Sequence, residues 1–283
     1  MPVYNINFEQ LRQQPDVPDM LNALERGLEK YGLDFYLVGA VARDVWMRGI
    51  HNLPPRRTTG DIDLAVLIND KGVYEALKKY LVAEEKFQAT RENAFVLIWN
   101  NRLQVDLLPF GAIEDAEGRV TVQGTGYTTV DVPGFKEIYQ QGLPEVSFRE
   151  TRNFKVCTLP GIVILKLLAW HDRPEARRDD IKDISDILHH FFDMYDEDIW
   201  NNHSELFNNE ADLKWIAARV MGREIKKVTL QNEKLHQRIM EIFNSNTANA
   251  ADSKIAAIMV EYFNNTAADN VLLLQQVKTG LEE

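Results

Sequence analysis

The sequence has few of the features that mark membrane, disulfide-linked or disordered proteins. Its 283 residues include one cysteine, only 10 prolines and 15 glycines, and no run of 18 apolar residues. One cysteine cannot form an internal disulfide, and a helix that spans a bilayer needs about 20 apolar residues. The N-terminal segment also lacks the basic start and apolar stretch of a signal peptide. We therefore expect a cytoplasmic protein without membrane contact, in which Cys157 packs in the core.

Positive charge is also scarce in this chain. The 32 Lys and Arg residues are outnumbered by 43 Asp and Glu residues, which gives a formal net charge of −11. Proteins that coat nucleic acid neutralise its phosphates with Lys and Arg, so a surface of that kind is disfavoured. A hydrophobic content of 45% and a charged content of 27% are typical of globular proteins, and the length fits one large or two modest domains.

The two halves of the chain differ in the spacing of their apolar residues. The first half alternates helical segments with short apolar runs such as DFYLVG, DIDLAVLI, AFVLIWN and RLQVDLLPF, which are typical of strands. From Gly111 to Phe148 we expect further strands and irregular loops. From Pro160 onward, apolar residues recur every three or four positions, as in helices. The sequence predicts an α/β (α+β) protein, with a mixed-sheet domain over residues 1–158 and a helical bundle domain over residues 159–283.

Three aspartates stand on the predicted strands of the first domain. Asp61 and Asp63 are two residues apart, so their carboxylates project from one face of the sheet while Ile62 points to the other. Asp106 interrupts the apolar strand LQVDLLPF, where a carboxylate is costly without a partner. A neighbouring strand can place Asp106 beside the first pair. Carboxylate oxygens bind Mg²⁺, and three of them match a two-ion site for phosphoryl transfer.

A small-residue turn precedes these aspartates. Gly39 and Ala40 follow the strand candidate DFYLVG and open a predicted helix, where backbone N–H groups can approach a triphosphate. No G-x-x-x-x-G-K-[ST] string occurs in the sequence, which argues against a P-loop kinase or GTPase. The phosphate-binding site predicted at Gly39 and Ala40 is therefore not a P-loop.

Gly39-Ala40, Asp61-Ile62-Asp63 and Asp106 together resemble the signature of the DNA polymerase β-like nucleotidyltransferase superfamily. The segment LVGAVARDVWMRG followed by DIDLAV is especially similar to the head of tRNA CCA-adding enzymes. The resemblance implies a nucleotidyltransferase fold and Mg²⁺-dependent transfer of an NMP from an NTP, such as ATP or GTP, to a hydroxyl group. It also implies that Gly39 and Ala40 touch phosphate and that Arg43 contacts the nucleotide or helps to shape its pocket. Two features depart from the pattern, namely Ala40 in place of Gly or Ser and the added loop His51 to Gly60.

The helical half resembles a narrower family. KLLAWHDRPEARRDDIKDISDIL is similar to the Lys, then Arg/Lys-Asp-x-x-Asp arrangement of AbiEii-like nucleotidyltransferases, the toxins of type IV toxin–antitoxin systems. This resemblance implies that Lys166 neutralises triphosphate charge and that Asp183 lies near the site as a general base. It further implies an antitoxin protein as a partner.

Several alternatives remain open from the sequence. The acceptor is tRNA or another RNA, a protein, or a small molecule such as an aminoglycoside, because all of these need the same metal-binding head. A nucleotide-binding regulatory module without strong catalysis is a second hypothesis, and an antibiotic-modifying enzyme is a third. Lys166 is alternatively a solvated helix residue, and Arg43 and Asp44 are alternatively surface charges of a helix. His171, His189 and His190 lack the spacing of a zinc site, so we expect them to be structural.

Overall fold

The described part of the chain forms two compact units. The computed structural model describes residues 3–6, 17–54, 60–124, 126–148, 152–207, 212–263 and 265–283. One unit comprises residues 1–158 and the other residues 159–283. Each unit is described by itself below.

A mixed β-sheet is the centre of the N-terminal unit. Its eight described strands follow the order β1-β9-β10-β2-β3-β6-β5-β4, while β7 and β8 form a separate antiparallel ribbon. The pairing β3–β6 is parallel, and β3 also pairs with β2 in antiparallel fashion. The strands are β1 (Val3–Ile6), β2 (Phe35–Leu37), β3 (Asp61–Leu67), β4 (Phe87–Ala89), β5 (Val96–Trp99), β6 (Leu103–Phe110), β7 (Arg119–Gln123), β8 (Tyr127–Asp131), β9 (Glu145–Phe148) and β10 (Arg152–Val156).

Helices pack on both faces of this sheet. The helices of this unit are α1 (Val17–Lys30), α2 (Gly39–Asp44), α3 (Lys71–Glu84) and α4 (Phe135–Gln141); α2 continues directly into a π-helical segment, Val45–Ile50. Tyr74 donates a hydrogen bond from its hydroxyl group to the carbonyl of Leu107, which ties α3 to β6. On the opposite face, Tyr36 donates to the carbonyl of Phe135 and so ties β2 to α4.

The central strands follow the predicted alternation. In β3, Asp61 and Asp63 are half-buried, whereas Ile62, Leu64 and Val66 are fully buried on the other face. The turn between β5 and β6 contains Asn100 and Asn101, both with left-handed backbone conformations (φ 49° and 57°), as tight hairpins require. The mixed-sheet fold expected from the sequence is therefore confirmed.

The segment from Gly111 to Phe148 contains a helix that the sequence pattern does not predict. The seven residues of α4 are too few to show a helical period, so the pattern indicates only strands and loops there. Two glycines with positive φ, Gly134 and Gly142, flank the helix. Its position is fixed instead by aromatic packing, since the ring of Tyr36 lies 6.5 Å from Phe135 and 6.3 Å from Tyr139. The strand β1 is likewise not predicted by the sequence pattern.

The C-terminal unit is helical, as expected from the spacing of its apolar residues. The helices are α5 (Leu159–Asp172), α6 (Arg178–Asn202), α7 (Leu213–Thr229), α8 (Glu233–Thr247), α9 (Lys254–Val260) and α10 (Ala267–Glu282). They pack against one another, with α7 and α10 in close backbone contact at Gly222 and Gly280. A short 3-10 turn, Ser204–Leu206, follows α6.

The single cysteine lies in the core of the N-terminal unit. Cys157 is fully buried, and its carbonyl accepts a hydrogen bond of 2.8 Å from the indole of Trp46. Burial raises the pKa of its thiol well above the usual range. The core position predicted for Cys157 is confirmed. Among the described helices, none has the length and apolar character that a bilayer span requires.

Candidate functional site

Three carboxylates meet on one face of the N-terminal sheet. Asp61 and Asp63 project from β3, and the parallel register of β3 and β6 places Asp106 directly opposite Asp63. One ligand oxygen from each of the three side chains lies within 4.8 Å of the others, and all three residues are half-buried. Neighbouring strands thus bring together the residues that sequence spacing alone had suggested.

The electrostatics of this cluster favour a bound cation. Two carboxylates 4 Å apart repel each other by roughly 4 kcal/mol at an effective dielectric constant of about 20. Three half-buried carboxylates this close together therefore repel one another, and a divalent cation would offset that repulsion. The donor set consists of hard carboxylate oxygens only, which suits Mg²⁺. Asp61, Asp63 and Asp106 are the residues that would hold it.

The backbone at Gly39 lies against this cluster. Gly39 has a left-handed conformation (φ +65°), and a β carbon built at that position would lie 2.9 Å from Cγ of Asp63. The preceding residue, Val38, donates its backbone N–H to the carbonyl of Asp63 at 3.1 Å. Only glycine permits this approach, so the start of α2 and the carboxylate of Asp63 share one small space.

Two further side chains surround Asp106. The amide of Gln104, two residues earlier on β6, donates a hydrogen bond of 2.9 Å to Oδ1 of Asp106. Tyr74 is hydrogen-bonded to the carbonyl of Leu107, the residue after Asp106 on β6. Burial, together with the charge of Asp106, raises the pKa of the Tyr74 hydroxyl group well above the usual range. Gln104 orients Asp106, and the sequence pattern does not identify it, because an alternate strand residue carries no special signal before the register is known.

Ala40 and Arg43 are the next predicted site residues, and both lie in α2. Ala40 is buried as the second residue of the helix. Arg43 is only 4% exposed, and its guanidinium group forms an ion pair of 2.5 Å with Asp44, which is 6% exposed. The alternative interpretation of Arg43 and Asp44 as surface charges is therefore wrong. A helix of six residues shows no period from which this burial could be predicted, and every residue of α2 from Ala40 to Asp44 is buried.

Lys166 and Asp183 belong to the C-terminal unit. The ammonium group of Lys166, on α5, lies 2.7 Å from Oδ1 of Asp180 and 2.7 Å from Oδ2 of Asp183, both on α6. All three side chains are buried, and Asp183 is only 1% exposed. Lys166 is thus not the solvated helix residue of the alternative interpretation. Asp180 is not recognisable in the sequence, because it stands in a run of charges typical of a helix start.

The family is identified by a sequence profile. Residues 22–240 match the profile of the AbiEii nucleotidyl transferase toxin family of type IV toxin–antitoxin systems. This chain belongs to the AbiEii family. The matched range extends over parts of both units and contains all of the predicted site residues. The protein is therefore an enzyme of the nucleotidyltransferase class.

Solved structures of other nucleotidyltransferases resemble this AbiEii-family chain at low sequence identity. The antibiotic-resistance factor ANT(2'')-Ia is 13% identical, with a TM-score of 0.39 over 82% of this chain and 97% of that chain. A CCA-adding enzyme in complex with CTP is 14% identical, with a TM-score of 0.33 over 89% of this chain and 60% of that one. The Thermotoga maritima CCA-adding enzyme complexed with tRNA is 15% identical, with a TM-score of 0.29 over 100% of this chain and 85% of that one. No curated protein sequence matches the chain.

The histidines and the added loop are the remaining features singled out in the sequence of this AbiEii-family protein. Among the described residues, Asp61, Asp63 and Asp106 form the only group of three or more side chains arranged to hold a metal ion. His171, His189 and His190 belong to no such group, and the ring of His189 stacks on Phe263 at 4.3 Å. Residues 55–59 of the added loop lie outside the described residues.

Proposed function

We propose that this AbiEii-family protein transfers an NMP from an NTP to a hydroxyl acceptor in a Mg²⁺-dependent reaction, in which the acceptor oxygen bonds to the α-phosphorus and pyrophosphate leaves. One observation carries the proposal, namely the cluster of Asp61, Asp63 and Asp106 beside the backbone of Gly39. Carboxylates that repel one another supply a cation site, and a glycine at the helix start leaves room for phosphate. Bound in this cluster as one or two ions, magnesium would neutralise charge on the triphosphate and on the attacking and leaving oxygens.

The residues of the chain take complementary roles in this proposal. The backbone of Gly39 and Ala40 binds phosphate oxygens, and Arg43 shapes the nucleotide pocket while it stays paired with Asp44. Lys166 neutralises triphosphate charge. Asp183 acts as the general base that takes the proton of the acceptor hydroxyl group. Because Asp183 is buried against Lys166, this role requires that its carboxylate leave the lysine when the acceptor binds.

We further propose that the protein acts as a growth-inhibiting toxin whose effect an antitoxin protein counteracts. The family to which the chain belongs supports this role. The net charge of −11 favours an acceptor that docks locally over one that is coated along its length. Expression of wild type should slow bacterial growth, whereas Asp61→Ala should not.

The central experiment identifies the nucleotide and the acceptor together. Purified protein is incubated with Mg²⁺ and each α-labelled NTP in turn, against separate pools of tRNA, cellular protein and aminoglycosides. We expect label in one pool, dependent on Mg²⁺ and absent with Asp63→Asn. If folded wild-type protein labels none of the pools with any NTP, NMP transfer to these acceptors is wrong. Thermal stabilisation by nucleotide without any labelling would instead support a binding module, the alternative that the complete carboxylate cluster disfavours.

A further inference from the structure

We infer that Asp180 is a positioning residue for Lys166, and that it holds the ammonium group in place when Asp183 moves to serve the acceptor. This inference rests on the proposed function, which assigns the triphosphate to Lys166 and the proton transfer to Asp183. Asp180 itself needs to touch neither substrate. Its contribution is to keep the ammonium group of Lys166, and therefore its positive charge, in a fixed position.

The geometry of the cluster links one lysine to two carboxylates. Asp180 and Asp183 are three residues apart on α6, so they lie on one face of the helix. Each places one carboxylate oxygen 2.7 Å from the ammonium group of Lys166, at the length of a strong charge-assisted hydrogen bond. Two of the three N–H groups of the ammonium are thus directed at these two carboxylates.

The burial of the cluster argues that stability alone does not explain the second carboxylate. Lys166 and Asp180 are each 7% exposed, and one lysine faces two buried negative charges. The guanidinium group of Arg177 approaches Oδ2 of Asp180 only to 4.0 Å and is itself half-exposed. Burial of charges costs free energy that their mutual attraction often fails to offset.

A second anchor matters if Asp183 has to move. A lysine ends in a compact charge on a flexible four-carbon chain, so an ammonium group that loses its only partner is free to change position. With Asp180 in place, Lys166 keeps one hydrogen bond after Asp183 has left. Its other N–H groups then remain directed and can be offered to phosphate oxygens. Asp180 therefore supplies the fixed partner and Asp183 the exchangeable one.

The test compares substitutions at two adjacent aspartates. Asp180→Ala removes the anchor, whereas Asp180→Asn keeps an oxygen that accepts the hydrogen bond but removes the charge. Asp179→Ala is the matched control, because Asp179 lies in the same helical turn, is exposed and pairs with Lys182 at 3.2 Å. The measurements are KM for the NTP, kcat, the Kd of a non-hydrolysable NTP analogue with Mg²⁺, and the melting temperature.

We expect Asp180→Ala to raise KM and Kd for the nucleotide about tenfold, which corresponds to about 1.4 kcal/mol. Asp180→Asn should stay within about threefold of wild type and Asp179→Ala within about twofold, a separation that a purely structural role would not produce. Unchanged or tighter nucleotide binding in Asp180→Ala overturns the inference, as does an effect confined to the melting temperature. An Asn variant as impaired as the Ala variant overturns it too.

The design separates this inference from the proposed function. If wild type binds the analogue but transfers no NMP, the proposed reaction is wrong, and the Kd values still decide whether Asp180 positions Lys166. If wild type transfers NMP and Asp180→Ala does so equally well, only the inference about Asp180 falls. A wild-type protein that neither binds nor transfers nucleotide overturns both.

Discussion

Gly39 and Asp63 occupy space that only a residue without a side chain can share. A β carbon at position 39 would lie 2.9 Å from Cγ of Asp63, and the backbone of Gly39 has a left-handed conformation. Position 39 therefore requires glycine for two separate reasons, namely the left-handed backbone conformation and the nearby carboxylate of Asp63. The predicted phosphate-binding backbone and the predicted metal site are therefore adjacent within one unit of the protein.

Gly39→Ala should consequently damage both stability and activity. The left-handed conformation costs a residue with a β carbon about 1 kcal/mol, and the overlap with Asp63 adds roughly 1–3 kcal/mol or displaces the carboxylate. Gly32→Ala is the matched control, because Gly32 has a similar φ of +61° but no atom within 4 Å of the place that a β carbon would take. Chemical denaturation and NMP transfer should show a small stability loss in Gly32→Ala and a larger loss of both properties in Gly39→Ala. Equal behaviour of the two variants would contradict a special role of the Asp63 contact.

Asp63→Asn should reduce NMP transfer by about a hundredfold or more without loss of stability. Changes in the outer shell of a metal site alone typically cost roughly 10–100-fold, and Asp63 is a proposed direct ligand. Its neutralisation also removes repulsion within the carboxylate cluster. Mg²⁺ should raise the melting temperature of wild type more than that of Asp63→Asn. Asp131→Asn, an exposed strand position on β8, serves as the control and should behave as wild type in both assays.

The carboxylate site could be predicted from the sequence because strand alternation and parallel pairing are regular. Asp61 and Asp63 had to share a face, and Asp106 needed only an adjacent strand to join them. The buried Lys166–Asp180 contact could not be predicted, because it depends on how two helices pack and not on the spacing of residues along either helix. The helix α4 escapes prediction for a similar reason, because seven residues hold no periodic signal and tertiary contacts define it. Likewise, the burial of Arg43 could not be predicted, because the six residues of α2 are too few to show a helical period.

Gly222→Ala should destabilise the C-terminal unit by roughly 1–3 kcal/mol. A β carbon at Gly222 would lie 2.9 Å from the backbone N of Leu281, and one at Gly280 would lie equally close to the backbone N of Arg223, so the backbones of α7 and α10 leave no room for a side chain at either point. Gly126→Ala provides the contrast, because Gly126 is exposed, its backbone is outside the left-handed region, and no atom lies within 4 Å of the place that a β carbon would take. Urea denaturation would contradict the close approach if Gly222→Ala were as stable as wild type.

Glu85→Gln should make the stability of the protein less dependent on acid pH. Hydrogen bonds from Arg26 to Glu85, at 2.8 Å and 2.5 Å, together with one from Tyr80 at 3.0 Å, hold the pKa of this carboxyl group below its usual value, and they outweigh the opposing effect of burial. Because the pKa is lower in the folded state, the stabilisation is complete above the usual glutamate value of about 4.3. It is lost as the pH falls through the lower folded value.

Wild type should therefore exceed Glu85→Gln in free energy of unfolding by on the order of 1 kcal/mol at pH 7, a modest figure because Arg26 is largely exposed. The difference should shrink as the pH falls below about 4.3, and it should vanish only below the lower pKa of the folded state, where the carboxyl group is protonated in both states. Urea denaturation of both proteins at several values between about pH 7 and 3.5 measures it, with the exposed neighbour Glu84→Gln as control. A difference that stays constant over this range would show that Glu85 stabilises the protein through packing and not through the charge that Arg26 binds.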